Sequence, residues 1–198
     1  MDERRARIVA AAREELLSER RFTLDAVAER AGVSRVTLYA LCGDRDALLE
    51  AVYDDLAASG GLLRIPDAFA FSDNASALET LVTIFCHFYS VHRSLIRRLH
   101  ALGAVGAGEL AGHAARNARR RNILAALLHR SGVDDERLLD TLQALTSFAF
   151  IDELAGPGRT PDDVAGEVAN LVGLAVADRV PGGSRGRPAE QGPESETT

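Results

Sequence analysis

The chain has 198 residues, 46% of them hydrophobic and 26% charged, with a net charge of −6. This is the composition of a globular protein with room for a sizeable core. No apolar run approaches the ~18 residues that span a bilayer, so no membrane-spanning helix is expected, and so acidic a chain is not one that coats nucleic acid indiscriminately.

The first residues, MDERRARIV, are charged and enter a helix at once, so no signal peptide is expected. Over 4–19, Ile8, Val9, Ala12, Leu16 and Leu17 recur at helical steps and predict a first helix, with Ala11 beside the stripe. Arg4, Arg5 and Arg7 crowd its start, where a helix dipole disfavours cations. A partner anion and a solvated cluster both account for them. Phe22 is placed to pack this helix onto the next two.

Residues 23–49, TLDAVAERAGVSRVTLYALCGDRDALL, read as helix, tight turn, helix, loop, helix. Leu24, Val27, Ala28 and Ala31 form one helical face, and Thr23 is its expected N-cap. Gly32 stands where a helix end needs left-handed dihedrals. Val33 plugs the turn, and Ser34 caps a second helix over 35–41. Val36, Leu38 and Leu41 are expected to face inward there, leaving Arg35, Thr37 and Tyr39 outward. This is the helix-turn-helix pattern, whose second helix enters the DNA major groove. Residues 1–45 carry nine arginines against eight carboxylates, the remainder fourteen against twenty-one. The amino-terminal unit is therefore the less acidic.

Asp44 reads as the N-cap of a helix over 45–58, lined inward by Leu48, Leu49, Val52, Tyr53 and Leu56. Residues 60–74 look like a loop anchored by Leu62, Leu63, Ile65, Phe69 and Phe71, long enough that part of it is expected to be helical or packed. Helical periods then return: from Ala75 through Leu78, Leu81, Val82, Phe85, Phe88, Tyr89 and His92; over 94–102; over 109–130, with Arg116, Arg119, Arg120 and Arg121 on the exposed side; over 135–155; and over 161–179. No strand pattern appears. The expected fold is all-α with about nine helices. The expected divisions are a helix-turn-helix DNA-binding unit over 1–45, a helical body over 46–180, and a Gly-, Pro- and Glu-rich tail over 181–198 that cannot bury enough surface to order itself.

Catalysis is not expected. The five histidines form no i, i+4 pair, and there is no H-E-x-x-H and no Gly-rich phosphate loop. Cys86 and His87 are adjacent, so on a helix they point apart. Cys42 and Cys86 lack metal-ligand spacing, which predicts a cytoplasmic protein with no disulfide, no metal and no cofactor.

The stretch AGVSRVTLYALCGDRDALLEAV resembles the DNA-binding signature of the TetR family of bacterial transcriptional regulators. Ala31, Gly32, Val33, Ser34, Thr37, Tyr39 and Leu48 match the family pattern, and the resemblance covers residues from about 5 to 55. The chain departs from it at Leu41, where histidine is common, and at Cys42, where an aromatic is usual. Arg45 replaces the family's usual lysine and keeps its charge. The resemblance implies that Thr37 and Tyr39 touch phosphates and that Arg35 reaches base edges beside Val36. Thr23, Ser34 and Arg45 complete the expected DNA-binding set. Chemistry agrees: arginine offers a bidentate fork to guanine, and hydroxyls are positioning donors to phosphate.

The resemblance further implies a small-molecule site among the central helices. Phe85, Phe88, Tyr89, His92, Leu99, Phe148 and Asp152 are its candidates, although a Phe stripe at helical spacing is more often plain core. It also implies a homodimer packed through the last two helices. Leu138, Leu142, Leu145, Val164, Val168, Leu171, Val172 and Ala175 form the expected interface, with Gly166, Ala169, Gly173 and Ala177 permitting close approach. The function implied is a dimeric transcriptional regulator, a repressor that binds palindromic double-stranded DNA and is released by a small-molecule effector. The alternative is a helix-turn-helix-derived dimer with weak DNA binding, motivated by Leu41 and Cys42, that acts through protein–protein contacts.

Overall fold

The computed structural model describes residues 3–18, 20–105, 111–177 and 179. The expected disordered tail, 181–198, lies outside the described residues. Within them the chain is all-α: eleven α-helices, two short 3-10 turns and no strand. The helices are α1 (Glu3–Leu17), α2 (Leu24–Ala31), α3 (Arg35–Cys42), α4 (Arg45–Ser59), α5 (Ile65–Phe69), α6 (Asn74–Val91), α7 (Arg93–Val105), α8 (Ala111–Arg130), α9 (Glu136–Leu145), α10 (Phe148–Ala155) and α11 (Ala165–Ala177).

Two differences raise the count above the expected nine. Part of 60–74 is helical: a 3-10 turn over Leu62–Arg64 runs into α5. Its expected anchors divide, with Leu62 and Ile65 packed on the core and Leu63, Phe69 and Phe71 exposed. The helix expected over 135–155 is broken at Thr146 and Ser147. Ser147 is extended, and its hydroxyl accepts from the Phe150 N–H, starting α10 afresh. Hydroxyls that compete for backbone groups are the residues expected to interrupt a helix in this way.

Local chemistry sets the other boundaries. Asp44, Asp73 and Asp135 each sit in extended backbone and accept from N–H groups in the first turn of their helices. An N-cap of this kind is worth about 1 kcal/mol.

The amino-terminal unit is built around α1, which packs on α2, α3 and α4. Ile8, Ala12 and Leu16 form its fully enclosed stripe, while Leu17 is exposed. Glu15, also enclosed, accepts from Arg30 at 2.7 Å, tying α1 to α2. In the body, α6 is central and contacts α5, α7, α8, α10 and α11. One cluster of buried side chains runs from Ile8 through Leu48, Leu49, Val52 and Leu56 of α4 to Val172 of α11. Thus α4 shares the core of both parts. Polar ties reinforce the junction: Arg13 of α1 donates to Asp55 of α4 at 2.6 Å, and Arg98 of α7 donates to the Ser18 carbonyl at 2.6 Å.

Both cysteines are enclosed by this core. Burial pushes the Cys86 thiol up to about 12, helped by the Asp162 charge. Burial also raises the Cys42 thiol, against the opposing field of Arg5. Among the described residues no helix is long and apolar enough to cross a membrane.

Candidate nucleic-acid interface and helical cavity

The turn between α2 and α3 is set by side chains at its two ends. Thr23 Oγ1 accepts from the Ala26 N–H at 3.2 Å and starts α2. Gly32 ends it at φ 65°, and the Val33 N–H reaches back to the Ala28 carbonyl at 3.0 Å. Arg7 donates to the neighbouring Ala31 carbonyl at 3.3 Å, so one of the crowded N-terminal arginines closes the end of α2. Ser34 Oγ accepts from the Thr37 N–H at 3.1 Å and lies 2.9 Å from Thr37 Oγ1. Thr23 and Ser34 thus hold the turn as well as offering hydroxyls near the expected DNA face.

Leu38 and Cys42 bury the inner side of α3, with Leu41 packed beside them. Val36 does not join them, contrary to expectation; it is 78% exposed. The reason is helical geometry. At ~100° per residue, Val36 lies ~200° from Leu38, on the side opposite the core. Arg35, Val36 and Tyr39 therefore share the outward side. Arg35 pairs with Asp25 of α2, Nε to Oδ1 at 3.0 Å, and its guanidinium lies 5.8 Å from the centre of the Tyr39 ring. Arg45, at the first turn of α4, rests its guanidinium 5.9 Å from the centre of the Phe22 ring. The seven residues expected to contact DNA are distributed over the α2 N-cap, α3 with its cap, and the start of α4.

The body holds a cavity of about 410 Å³ between α4, α6, α7, α8 and the start of α10. Phe85, Phe88, Tyr89 and Phe148 line it, as do Tyr53 of α4 and Ile96 and His100 of α7. Tyr89 is the hub of this aromatic wall: its ring meets Phe148 edge-on at 5.4 Å, and its hydroxyl donates to the Thr146 carbonyl at 3.2 Å. The polar part of the lining is Asp54, Arg116, Asn117, Arg119, Arg120 and Ser147. Read from sequence, these arginines sit on an exposed face. Extending the α8 stripe back from Ile123 and Leu127 in steps of three and four lands on Arg120 and Arg116, and that period is the signal that would have found them.

His92, Leu99 and Asp152 do not line this cavity. Leu99 is fully enclosed core. His92 ends α6 and is enclosed against the end of α4: its ring lies 5.5 Å from that of Phe88, and Nε2 is 3.5 Å from Ser59 Oγ. Gly60 makes this contact possible, since a Cβ there would fall 2.6 Å from Phe88 and 2.7 Å from His92. Burial, with the Arg13 charge behind it, holds the His92 imidazole below its usual 6.5. The unfolded chain takes up a proton at 6.5 where the folded chain does not. Stability from this group is therefore complete above 6.5 and declines as pH falls below it. Urea midpoints measured across that range should show the decline, and His92→Gln should flatten it.

Asp152 belongs to a polar staple. Arg93 Nε donates to its carboxylate at 2.5 Å and Arg97 Nε at 2.8 Å. Arg93 also donates to the carbonyls of Asp152, Gly156 and Arg159, at 3.1, 2.8 and 2.6 Å. Burial alone would raise the Asp152 carboxyl, but the hydrogen bonds from Arg97 and Arg93 outweigh it and hold the group below the usual carboxylate range.

Of the residues expected at a dimer face, Leu138, Leu142, Val164, Val168 and Val172 are enclosed within this chain's own core, covered by α6, α8 and the contact of α9 with α11. Leu145 and Ala175 are half-buried, and Leu171 is exposed. The outer side of α11 instead carries Gly166, Asn170, Gly173, Leu174 and Ala177, all exposed.

No family model matches this sequence, and no curated protein matches it. Among solved structures, the chain is similar to a TetR transcriptional regulator from Streptomyces coelicolor. The two are 25% identical over 88% of this chain and 97% of that one, with a TM-score of 0.47.

Proposed function

We propose that this chain is a dimeric, sequence-specific DNA-binding regulator of the TetR kind, a repressor released when a small molecule fills the cavity of its helical body. The observation that carries the reading is α3. It is an eight-residue helix, capped by Ser34 and held at a glycine turn, and its outward side presents a fork-bearing arginine, an apolar valine and a phenol. Those groups suit a guanine edge, a thymine methyl and a phosphate. Residues 1–45 form the DNA-binding unit and 46–180 the regulatory body, with α4 as the shared rod.

The cavity reaches that rod directly. Tyr53 and Asp54 of α4 line it, Arg116 of α8 clamps Glu50 of α4 at 2.9 Å, and Phe88 touches Gly60 just beyond the end of α4. An occupant that shifts Arg116 or Phe88 shifts α4, and with it the separation of the two recognition helices. Coupling of this kind is typically ~1–3 kcal/mol.

Dimerisation uses the outer side of α11. Leu174 and Leu171 supply its apolar contact, and Gly166 and Gly173 let a second copy approach closely. A C2 pair then spaces two copies of α3 one or more DNA turns apart, ~34–36 Å each, on a palindromic site. Leu174→Glu should shift sedimentation from dimer toward monomer and weaken DNA binding with it. Retention of a full dimer would place the interface elsewhere.

The reading is tested by fluorescence anisotropy against the DNA upstream of this protein's own gene at two salt concentrations. Binding that steepens by ~0.9 in log K per log salt for each phosphate neutralised supports it. Absence of salt-steep binding to that DNA and to a random operator pool overturns it in favour of a protein partner.

A further inference from the structure

We propose that the cavity takes an organic anion: a flat, largely apolar molecule ending in a carboxylate, which docks on Arg116 and Arg120. This rests on the reading of the cavity as an effector site and names the chemistry of the effector.

Each guanidinium is fixed from behind. Arg116 Nη1 donates to both carboxylate oxygens of Glu50, at 3.0 and 2.9 Å, and its plane lies 3.5 Å from the centre of the Tyr53 ring. Arg120 Nη1 donates to the Tyr89 hydroxyl, and Nη2 to Asn117 Oδ1, both at 3.2 Å. Each nevertheless keeps one enclosed nitrogen without a hydrogen-bond partner, Nη2 of Arg116 and Nε of Arg120. Nearly all buried donors in proteins are satisfied, and an unpaired one on a cation is among the most costly. The two residues stand one helical turn apart in the lining of one cavity, and each guanidinium keeps a donor uncommitted within the protein.

The sign of the site comes from its charges. Arg116, Arg119 and Arg120 line it, against the single carboxylate of Asp54 among the described lining residues. Glu50 neutralises Arg116 only from outside the cavity. The first turn of α10, which contributes Ser147, Phe148 and Ala149 to the wall, adds the positive end of a helix dipole. The aromatic wall supplies the apolar half, and about 410 Å³ is the size of a small-molecule pocket. An anion on Arg116 also competes with Glu50 for the same guanidinium, so occupancy is felt on α4.

Calorimetry of the full chain with naphthoate and with naphthamide tests this, because the two share a shape and differ in charge. Naphthoate should bind about ten-fold or more tightly, the range of a hydrogen bond to a charged group. Arg120→Met should narrow the naphthoate-over-naphthamide ratio without erasing it, because Arg116 still meets the carboxylate; an unchanged ratio would remove Arg120 from the site. The comparison on the unaltered chain needs no variant to fold. Equal affinity for the two, or binding of neither, overturns the anion site. Operator binding measured on the same samples separates the two readings: a naphthoate preference without operator binding keeps the anion site and sinks the regulator.

Discussion

Replacing Arg35 with alanine should weaken specific DNA binding by about 2 to 6 kcal/mol per dimer. A bidentate arginine–guanine pair is worth ~1–3 kcal/mol, and a C2 dimer loses two of them. The lower half of that range is the better expectation. In the free chain Arg35 is paired with Asp25 at 3.0 Å, so part of what DNA offers it is already supplied. The same pair yields an opposite expectation for Asp25→Asn, which frees the fork and removes a carboxylate from the face proposed to meet DNA. That change should raise affinity for all DNA while reducing discrimination. Anisotropy with the operator and with a scrambled duplex distinguishes these effects. Equal loss on both duplexes for Arg35→Ala would show a phosphate contact rather than base reading.

Replacing Arg93 with alanine should destabilise the fold by about 2 to 4 kcal/mol. Breaking a buried ion pair by removing one partner costs ~3–5 kcal/mol, and the Arg93–Asp152 pair is 16% and 18% exposed, which lowers the figure. The loss exceeds that of a surface pair because Arg93 also serves carbonyls at the end of α10 and beyond, groups that a helix terminus leaves without internal partners. Asp152→Asn should cost less, since those carbonyl bonds survive. A double-mutant cycle on chemical denaturation midpoints would give the coupling between the two side chains. Additive losses would show that the carboxylate and the guanidinium act independently.

What the sequence discloses here depends on how far apart the interacting groups are. The helix-turn-helix is legible because its determinants are local. Thr23, Gly32, Ser34 and Asp44 each act on backbone within a few residues, and the periods of Leu24, Val27 and Ala31 are short. Hydrophobicity alone points Val36 inward, whereas its angular position on the helix turns it outward. In the body, Phe85, Phe88, Tyr89 and Phe148 do come together around a cavity. His92 and Asp152 do not line it, because what satisfies them is supplied from afar: Ser59 and Gly60 for the first, Arg93 and Arg97 for the second. Periodicity marks which side of a helix is covered and is silent on what covers it. That is why Leu138, Leu142, Val164, Val168 and Val172 read as a partner's surface and prove to be this chain's own interior. The arginines of α8 are hidden for the reverse reason: charge suggests solvent, while Arg116, Arg119 and Arg120 line the cavity.

The enclosure of both cysteines makes the chain ready for spectroscopic tagging. A thiol reacts through its thiolate, and Cys86, pushed up to about 12, and Cys42, raised by burial, present almost none at neutral pH. A cysteine introduced at Val36 would then be the fast-reacting thiol of each copy, with no need to remove the native pair. In a dimer it would carry one dye on each copy of α3. Energy transfer between the two dyes would track their separation directly as candidate effectors are added, with no operator in the cuvette.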